Sequence, residues 1–418
     1  MIRNYALFGL ILFACRDACT GALRSGLDHL GLWFLWYLAD LVALGAAGIF
    51  IVVQAQRRQS FGMLIVAGLA FSVAVAVDFT QAEPQMALAA IKMILPVFSG
   101  LLFLNQTAHD SPVTVVVLAV LLMVVCLSVF AEPLVDFPWA ETDYQSFSGS
   151  KAAVKRWWQQ GVERYGGLSG DSALTAAMIV FLSALIAPRL PSALFWIIAP
   201  LCCGALWLTT SKTGLAVFVI LCALRPMTAS PAPAFRAHAV LRLVALASFG
   251  TILAPPVLML LVSTLDKETI PPILASLADR AANTWPAPFL TIADVYPVGL
   301  ATGCGLGCFS SPMAFSDKAG LLAPLDNFHL TGLAMFGPAY LVFVGAAMIG
   351  LVREPSRGKL VLVILFNLYA LTVQAYAPSF LTMMSGYMLS GVFARAGARP
   401  AQSRPRSGPA GMVRSGPT

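Results

Sequence analysis

The sequence predicts an all-α, polytopic integral membrane protein. Of its 418 residues 59% are hydrophobic and only 11% charged, with a mean hydropathy of +0.82; soluble domains carry about 25% charged residues. Apolar runs recur along the whole chain, each near the ~20 residues a helix needs to cross a bilayer. A membrane β-barrel would instead alternate apolar and polar residues.

Twelve spans are expected, near 4–24, 30–53, 60–77, 86–104, 112–131, 172–187, 191–208, 213–225, 238–263, 328–352, 359–376 and 379–395. The first opens with MIRNYALFGLILFA, which looks like a signal peptide but lacks a small-residue cleavage site, so it is expected to remain as the first helix. The apolar stretch from Leu190 to Pro226 is read as two short helices because the cluster Thr209, Thr210, Ser211, Lys212 and Thr213 interrupts it. Residues 1–395 then form one transmembrane domain. The tail 396–418, rich in Pro, Gly, Ser and Arg, is expected to be disordered.

Charge sets the expected orientation, because cytoplasmic loops are enriched in Lys and Arg. With both termini inside, 15 of the 26 basic residues fall inside, including Arg57, Arg58, Arg189, Arg225, Arg236, Arg242, Arg353, Arg357 and Lys359. Only Asp110 and Glu354 among the acidic residues join them. The net charge of +7 therefore reflects topology and does not point to nucleic acid. Two outer loops, near 132–171 and 264–327, are far longer than the usual connection of about 4–6 residues. The second includes Ile273–Ile292, expected as an amphipathic helix on the bilayer surface.

The polar residues of interest sit in or beside these loops. Lys212 falls at the outer interface, at a helix N-terminus that the preceding hydroxyls can cap. A cation there opposes the helix dipole, which suggests a bound anion that both would attract. The plainer alternative is a lysine snorkelling to the interface. Arg164 opens RYGGLSGDSALTA, where Asp171 is the expected N-cap of the sixth span. Arg280 lies in LADRAANTWPAPF. YPVGLATGCGLGCF follows with Gly299, Gly303, Gly305 and Gly307, a glycine density that permits close backbone approach to a ligand. Cys304 and Cys308 are read as small residues of a tight turn in preference to a disulfide. Asp326 and Asn327 precede the tenth span, with His329 one helical turn on and expected to face the same way as Asp326. The four histidines show no metal-ligand spacing, and no phosphate-binding GxxxxGK[ST] loop occurs.

Four of these segments, in order over about residues 160–345, resemble the O-antigen polymerase and ligase family of bacterial envelope proteins. RYGGLSGDSALTA is similar to the family's RxxG segment opening a helix, and TTSKTGLAV to its TxSR segment. Arg280, Trp285 and TGCGLGCF resemble the basic residue, tryptophan and glycine turn of its large periplasmic loop, and DNFHLTGLAMFG its HN or DN pair.

The resemblance implies a membrane-embedded glycosyltransferase fold (GT-C-like) in the bacterial inner membrane. It also implies a glycan moved from undecaprenyl pyrophosphate to an acceptor hydroxyl, with no cofactor and no metal. Arg164, Lys212 and Arg280 would hold the pyrophosphate, with Asn327, Gly303, Gly305 and Trp285 as further binding positions. Asp326, or His329 or Asp171, would take the acceptor proton. Two positions depart from the family. Lys212 replaces its arginine, giving a point charge in place of a bidentate fork, and Asp326 replaces the ligase histidine, which favours a polymerase. The partners implied are the lipid-linked glycan, the bilayer and a chain-length regulator. An O-antigen ligase acting on lipid A core is the first alternative. A transporter or flippase is the second, although internal repeats and charges at mid-membrane are expected of one and no clear repeat is seen.

Two basic residues, Arg16 and Lys92, fall within spans beside Asp17 and Asp40; ionisable residues are costly there and mark functional candidates, with structural ion pairing as the plain alternative. Arg16 is expected to pair with Asp40, and Lys92 with Asp17.

Overall fold

A computed structural model describes residues 1–57, 60–81, 84–104, 106–146, 149–154, 157–159, 161–229, 235–264, 275–309, 311–322, 325–376 and 378–392. The expected disordered tail, and Arg58, lie outside the described residues.

All twelve apolar segments are helical, but several are broken. The first is α1 (Ile2–Ala18) and α2 (Thr20–His29), bent by 85° at Cys19. The second is a 3-10 turn, Trp33–Tyr37, running into α3 (Leu38–Gln56). Next come α4 (Ser60–Thr80), then α5 (Pro84–Ile94) and α6 (Pro96–Leu101), with Pro96 at the start of the latter. α7 (Pro112–Ala131), α8 (Ser172–Ile186), α9 (Ser192–Leu208) and α10 (Lys212–Ala229) are continuous. The ninth segment is α11 (Phe235–Ser248) and α12 (Ala254–Thr264), joined by a 3-10 turn and bent by 44°.

Helices α13 (Ala275–Asp279), α14 (Ala287–Val295) and α15 (Gly299–Thr302) belong to the long loop, with a π-helical turn, Arg280–Thr284, after α13. The tenth segment is two helices, α16 (Phe328–Phe336) and α17 (Ala339–Leu351), because Gly337 takes a positive φ and Pro338 follows. α18 (Arg357–Tyr369) and α19 (Ser379–Leu389) close the bundle. The first long loop adds two antiparallel hairpins, β1 (Asp143–Ser146) with β2 (Gly149–Ala152) and β3 (Trp157–Gln159) with β4 (Val162–Arg164).

Among the described residues four helices are long and apolar enough to cross a membrane, or up to six if each bent pair is one span. Helix α8 is the centre: from Ala176 to Ala187 every apolar side chain is at most 4% exposed, as befits a helix apolar all round. α1, α7, α9, α10 and α18 pack around it. α7 is apolar on two faces. Leu118, Leu122, Val125 and Val129 are buried, while Val113, Val116, Val120, Val124 and Leu127 form an exposed stripe at helical spacing. Such a contiguous apolar face is costly in water and suits a lipid surface.

The polar ends differ. At one end Arg189 donates to the His109 carbonyl at 3.0 Å, Arg225 to Leu190 O at 2.6 Å and Arg357 to Met227 O at 3.3 Å. Arg242 and His238 meet the Glu354 carbonyl there, and Lys359 Nζ donates to Leu104 O and Ser390 O. Five basic residues assigned from sequence to inner loops, Arg189, Arg225, Arg242, Arg357 and Lys359, thus gather at a single end. The bends at α1/α2 and the N-termini of α8, α10, α16 and α19 lie at the other.

The second long loop does not stand apart. Ala281, Trp285 and Ile292 are buried with Ala76 and Phe79 of α4 and Met86 and Ala90 of α5. The stretch expected as one amphipathic helix is three short helical pieces packed on the protein. Cys304 and Cys308 are disulfide-bonded, with Cα atoms 6.1 Å apart, which corrects the expectation of free cysteines. Burial of both sulfurs in that same cluster brings them together inside one tight turn.

Candidate functional site

The four segments singled out in the sequence meet at the end of the bundle opposite the basic loops. Strand β4 delivers Arg164, whose Nε donates to the Thr209 carbonyl at 3.2 Å, and the Tyr165 amide donates to Leu208 O at 3.3 Å. The RYGGLSGD turn is thereby tied to the end of α9. Its other end carries Asp171, which caps α8 by accepting from the Ala173 and Leu174 amides at 3.0 and 3.2 Å, as its position before the span predicts.

Helix α10 starts as expected. Ser211 Oγ accepts from the Gly214 amide at 3.1 Å, and Thr209 Oγ from the Ser211 amide at 3.4 Å. Lys212, the first residue of α10, is exposed and makes no hydrogen bond or ion pair among the described residues.

Arg280, on the π-helical turn, pairs with Asp326 at 2.8 Å, and both side chains remain about a third exposed, 32% and 34%. The other Asp326 oxygen accepts from Trp285 Nε1 at 3.1 Å. Trp285 is fully buried, so the rigid indole fixes the carboxylate. Burial pulls the Arg164 pKa down and the nearby positive charge of Arg280 adds to this, while Asp171 and the Tyr369 hydroxyl oppose it. Two arginines from loops more than a hundred residues apart are therefore within electrostatic reach of each other. Lys212 adds a third cation at the start of α10, exposed and without an ion-pair partner among the described residues.

Asn327 is the N-cap of α16. Its Oδ1 accepts from the Leu330 amide and its Nδ2 donates to Leu371 O, both at 2.8 Å. His329 does not share the surroundings of Asp326, contrary to expectation. It is 2% exposed, inside the bundle, with Nδ1 2.8 Å from the Tyr340 hydroxyl; its Nε2 is buried without a hydrogen bond. The helix begins at Phe328, so Asp326 precedes it in extended chain and helical spacing does not relate the two.

Gly303 and Gly305 have φ of +79° and +88°, a region that L side chains rarely adopt. Backbone does approach them closely, but it is the protein's own. A Cβ on Gly303 would overlap the Met335 carbonyl, and one on Gly305 the backbone of Ala76. Hydrogen bonds from the Cys304, Gly305 and Leu306 amides to Ala334 O, Met335 O and Ser72 O lock the turn between α16 and α4. The glycines hold the loop against the bundle, in the same buried cluster as Trp285.

One participating segment went unnoticed in the sequence. The end of α18, Tyr369 to Thr372, lies among the others. The Tyr369 hydroxyl donates to Ala173 O at 3.2 Å, Ala370 O accepts from the Phe328 amide at 3.0 Å, and the Thr372 and Thr213 hydroxyls are 2.6 Å apart. It reads in sequence as the plain end of a span, and only the placement of hydroxyls near its terminus hinted otherwise.

Fold and site together define a helical protein with membrane-spanning character and a polar, cation-rich cluster at one end of its bundle. In comparisons with known proteins the chain matches no family model and no curated protein.

Proposed function

We propose that the chain polymerises lipid-linked polysaccharide repeat units at the outer face of a bacterial inner membrane. In this proposal all twelve apolar segments belong to the membrane domain in a GT-C-like arrangement, both termini are cytoplasmic, and a chain-length regulator is a natural partner. The observation that carries the proposal is the Asp326 carboxylate held between Arg280 and Trp285, at the end of the bundle where Arg164 is tied to the last turn of α9.

The donor is a glycan on undecaprenyl pyrophosphate. Arg164 and Arg280 bind the pyrophosphate through their planar forks, and Lys212 adds an exposed positive charge at the start of α10. The acceptor hydroxyl oxygen attacks the anomeric carbon and forms the new glycosidic bond. The bond from that carbon to the pyrophosphate oxygen breaks, and the lipid pyrophosphate leaves with the electron pair. Fixed cations around the departing charge supply much of the rate. Asp326 takes the acceptor proton. Its ion pair with Arg280 orders these events: pyrophosphate draws Arg280 away and leaves the carboxylate, still held by Trp285, as a base. Asp171 is occupied as a helix cap and His329 is buried, so neither competes for this role. Carboxylate in place of the ligase histidine favours polymerisation over transfer to lipid A core.

Glycan profiling of a deletion strain complemented with Arg164→Ala and Arg280→Ala tests the proposal. Both are expected to accumulate single lipid-linked repeat units at unchanged protein level; near-wild-type polymer from both would overturn it. Reporter fusions at Arg236 and Arg357 should read cytoplasmic, and those at Tyr144 and Asp317 external.

A further inference from the structure

A second set of cations gathers where α1 breaks from α2. Arg16 contacts Asp17 at 3.4 Å and Asp40 at 3.2 Å, and Lys92 meets Asp40 at 3.0 Å. The expected Arg16–Asp40 pair is present. Lys92, expected on Asp17, pairs with Asp40 instead, because Asp17 turns to the α19 N-terminus and accepts from the Phe380 amide at 2.7 Å. Two carboxylates thus answer two cations.

Arg24, on α2, is the third cation and has no carboxylate partner among the described residues. Its guanidinium lies 4.1 Å from the Trp36 ring centroid and 4.3 Å from that of Tyr144. Arg16 sits over the same indole at 5.2 Å. Arg24, Arg16 and Lys92 are within electrostatic reach of one another and of Asp40, which leaves the group one positive charge in excess. Arg24 makes no hydrogen bond among the described residues, and its Nε is buried without a partner. Guanidinium has five N–H donors and no way to shed its proton. Buried donors are nearly always satisfied, and stacking on aromatic faces leaves the edge of the fork free for an acceptor.

The adjoining 3-10 turn supplies the second half of a ligand's requirements. Trp33, Phe34 and Leu35 are exposed at 55, 53 and 44%, and Leu38 follows at 47%. Exposed aromatic residues next to cations are typical of the membrane–water interface. An amphiphile with a phosphate head and a hydrocarbon chain matches both features.

We propose that Arg24, flanked by Lys92 and Arg16, holds the phosphate headgroup of a membrane lipid. The site stands on its own geometry; its assignment to one lipid rests on the proposed function. A polymerase joins two lipid-linked glycans and so must handle two pyrophosphates, and this site is placed for the acceptor's. Helix α2 packs on the turn that carries Arg164 and Asp171: a Cβ on Gly21 would come within 2.8 Å of Ala153 O and 3.3 Å of Ser169 O. The two headgroups would thus flank one turn.

Native mass spectrometry of the full-length protein in detergent tests this, with geranylgeranyl pyrophosphate as one probe and phosphatidylglycerol as the other. Wild type should bind two prenyl pyrophosphates, Arg24→Gln one, the Arg164→Ala/Arg280→Ala variant one, and the triple variant none. Tyr144→Leu removes one stacking ring without touching the charge and should weaken the second binding event about tenfold, which keeps the test open if Arg24→Gln misfolds. If Arg24→Gln instead loses retained phosphatidylglycerol, the headgroup site stands and bulk lipid fills it. Unchanged binding of both probes by Arg24→Gln and Tyr144→Leu overturns the site. Loss of one prenyl pyrophosphate in Arg24→Gln but none in Arg164→Ala/Arg280→Ala would sink the proposed active site and leave this one standing.

Discussion

The Arg280 guanidinium and the Asp326 carboxylate meet at 2.8 Å across 46 positions of chain, in a spot that keeps both accessible. A pair needed only for stability gains little from partial exposure, since such pairs contribute about 0–1 kcal/mol. An accessible pair can exchange partners when a stronger anion arrives. Pyrophosphate carries more charge than a carboxylate and fits the same fork.

Arg280→Ala should therefore cost about a thousandfold in polymerisation rate, roughly 4 kcal/mol of transition-state stabilisation. Asp326→Asn keeps the shape and the acceptor for Trp285 but removes the base, and should lose about a hundredfold or more. Turnover of a purified lipid-linked repeat unit measures both. A rate for Asp326→Asn within a few-fold of wild type would remove Asp326 from proton transfer.

Trp285 separates orientation from packing. Trp285→Phe preserves most of the buried bulk and deletes the hydrogen bond to Asp326. One such bond is worth about 1 kcal/mol, so turnover should fall roughly fivefold with little change in thermal stability. Trp285→Ala empties a fully buried site and should destabilise the protein by about 3–5 kcal/mol. Equal melting temperatures for Ala and Phe would contradict the full burial of Trp285.

The glycine turn predicts an asymmetry. Gly305→Ala forces a side chain against the α4 backbone at Ala76, whereas Gly320→Ala, at a similar φ of +83°, meets nothing within 4 Å. Both incur the left-handed strain of about 1–2 kcal/mol, but only the first adds a clash. A thermal melt should rank Gly305→Ala well below Gly320→Ala. The neighbouring disulfide closes a short loop, worth about 2 kcal/mol by the chain-entropy relation. Reductant should lower the melting temperature of wild type and leave Cys304→Ser/Cys308→Ser unchanged.

How far the sequence reached depends on the range of the physics involved. Helix existence was legible because apolar length and composition are local, and so were the caps at Asp171 and Ser211, which need only neighbouring amides. Breaks were less so: Gly337–Pro338 carries a local signal that the apolar run around it hid, while the bend at Cys19 carries none. The roles of Gly303 and Gly305 depend on α4 and α16 packing against them, contacts that no spacing encodes. The same holds for Lys92, whose choice of Asp40 over Asp17 follows from where α19 ends. The end of α18 at Tyr369 to Thr372 entered the site through tertiary placement, with its hydroxyls as a faint local hint.

Lys212 offers the sharpest remaining test. It stands at the first residue of α10, exposed and without a partner among the described residues, with Ser211 rather than its own side chain capping the helix. A cation at this end works against the helix dipole, so the helix itself gains nothing from it. Lys212→Met keeps the apolar stem and removes only the charge. If the lysine merely snorkels to an interface, Met should be stable and fully active. If it holds pyrophosphate together with the start of α10, Met should be equally stable and nearly inactive, while Lys212→Arg retains much of the activity because it restores a charge with a wider fork. Glycan profiles of the three strains decide between these outcomes: wild-type amounts of long-chain glycan from Lys212→Met would remove Lys212 from the site, and single lipid-linked repeat units from Met with long chains from Arg would place it there.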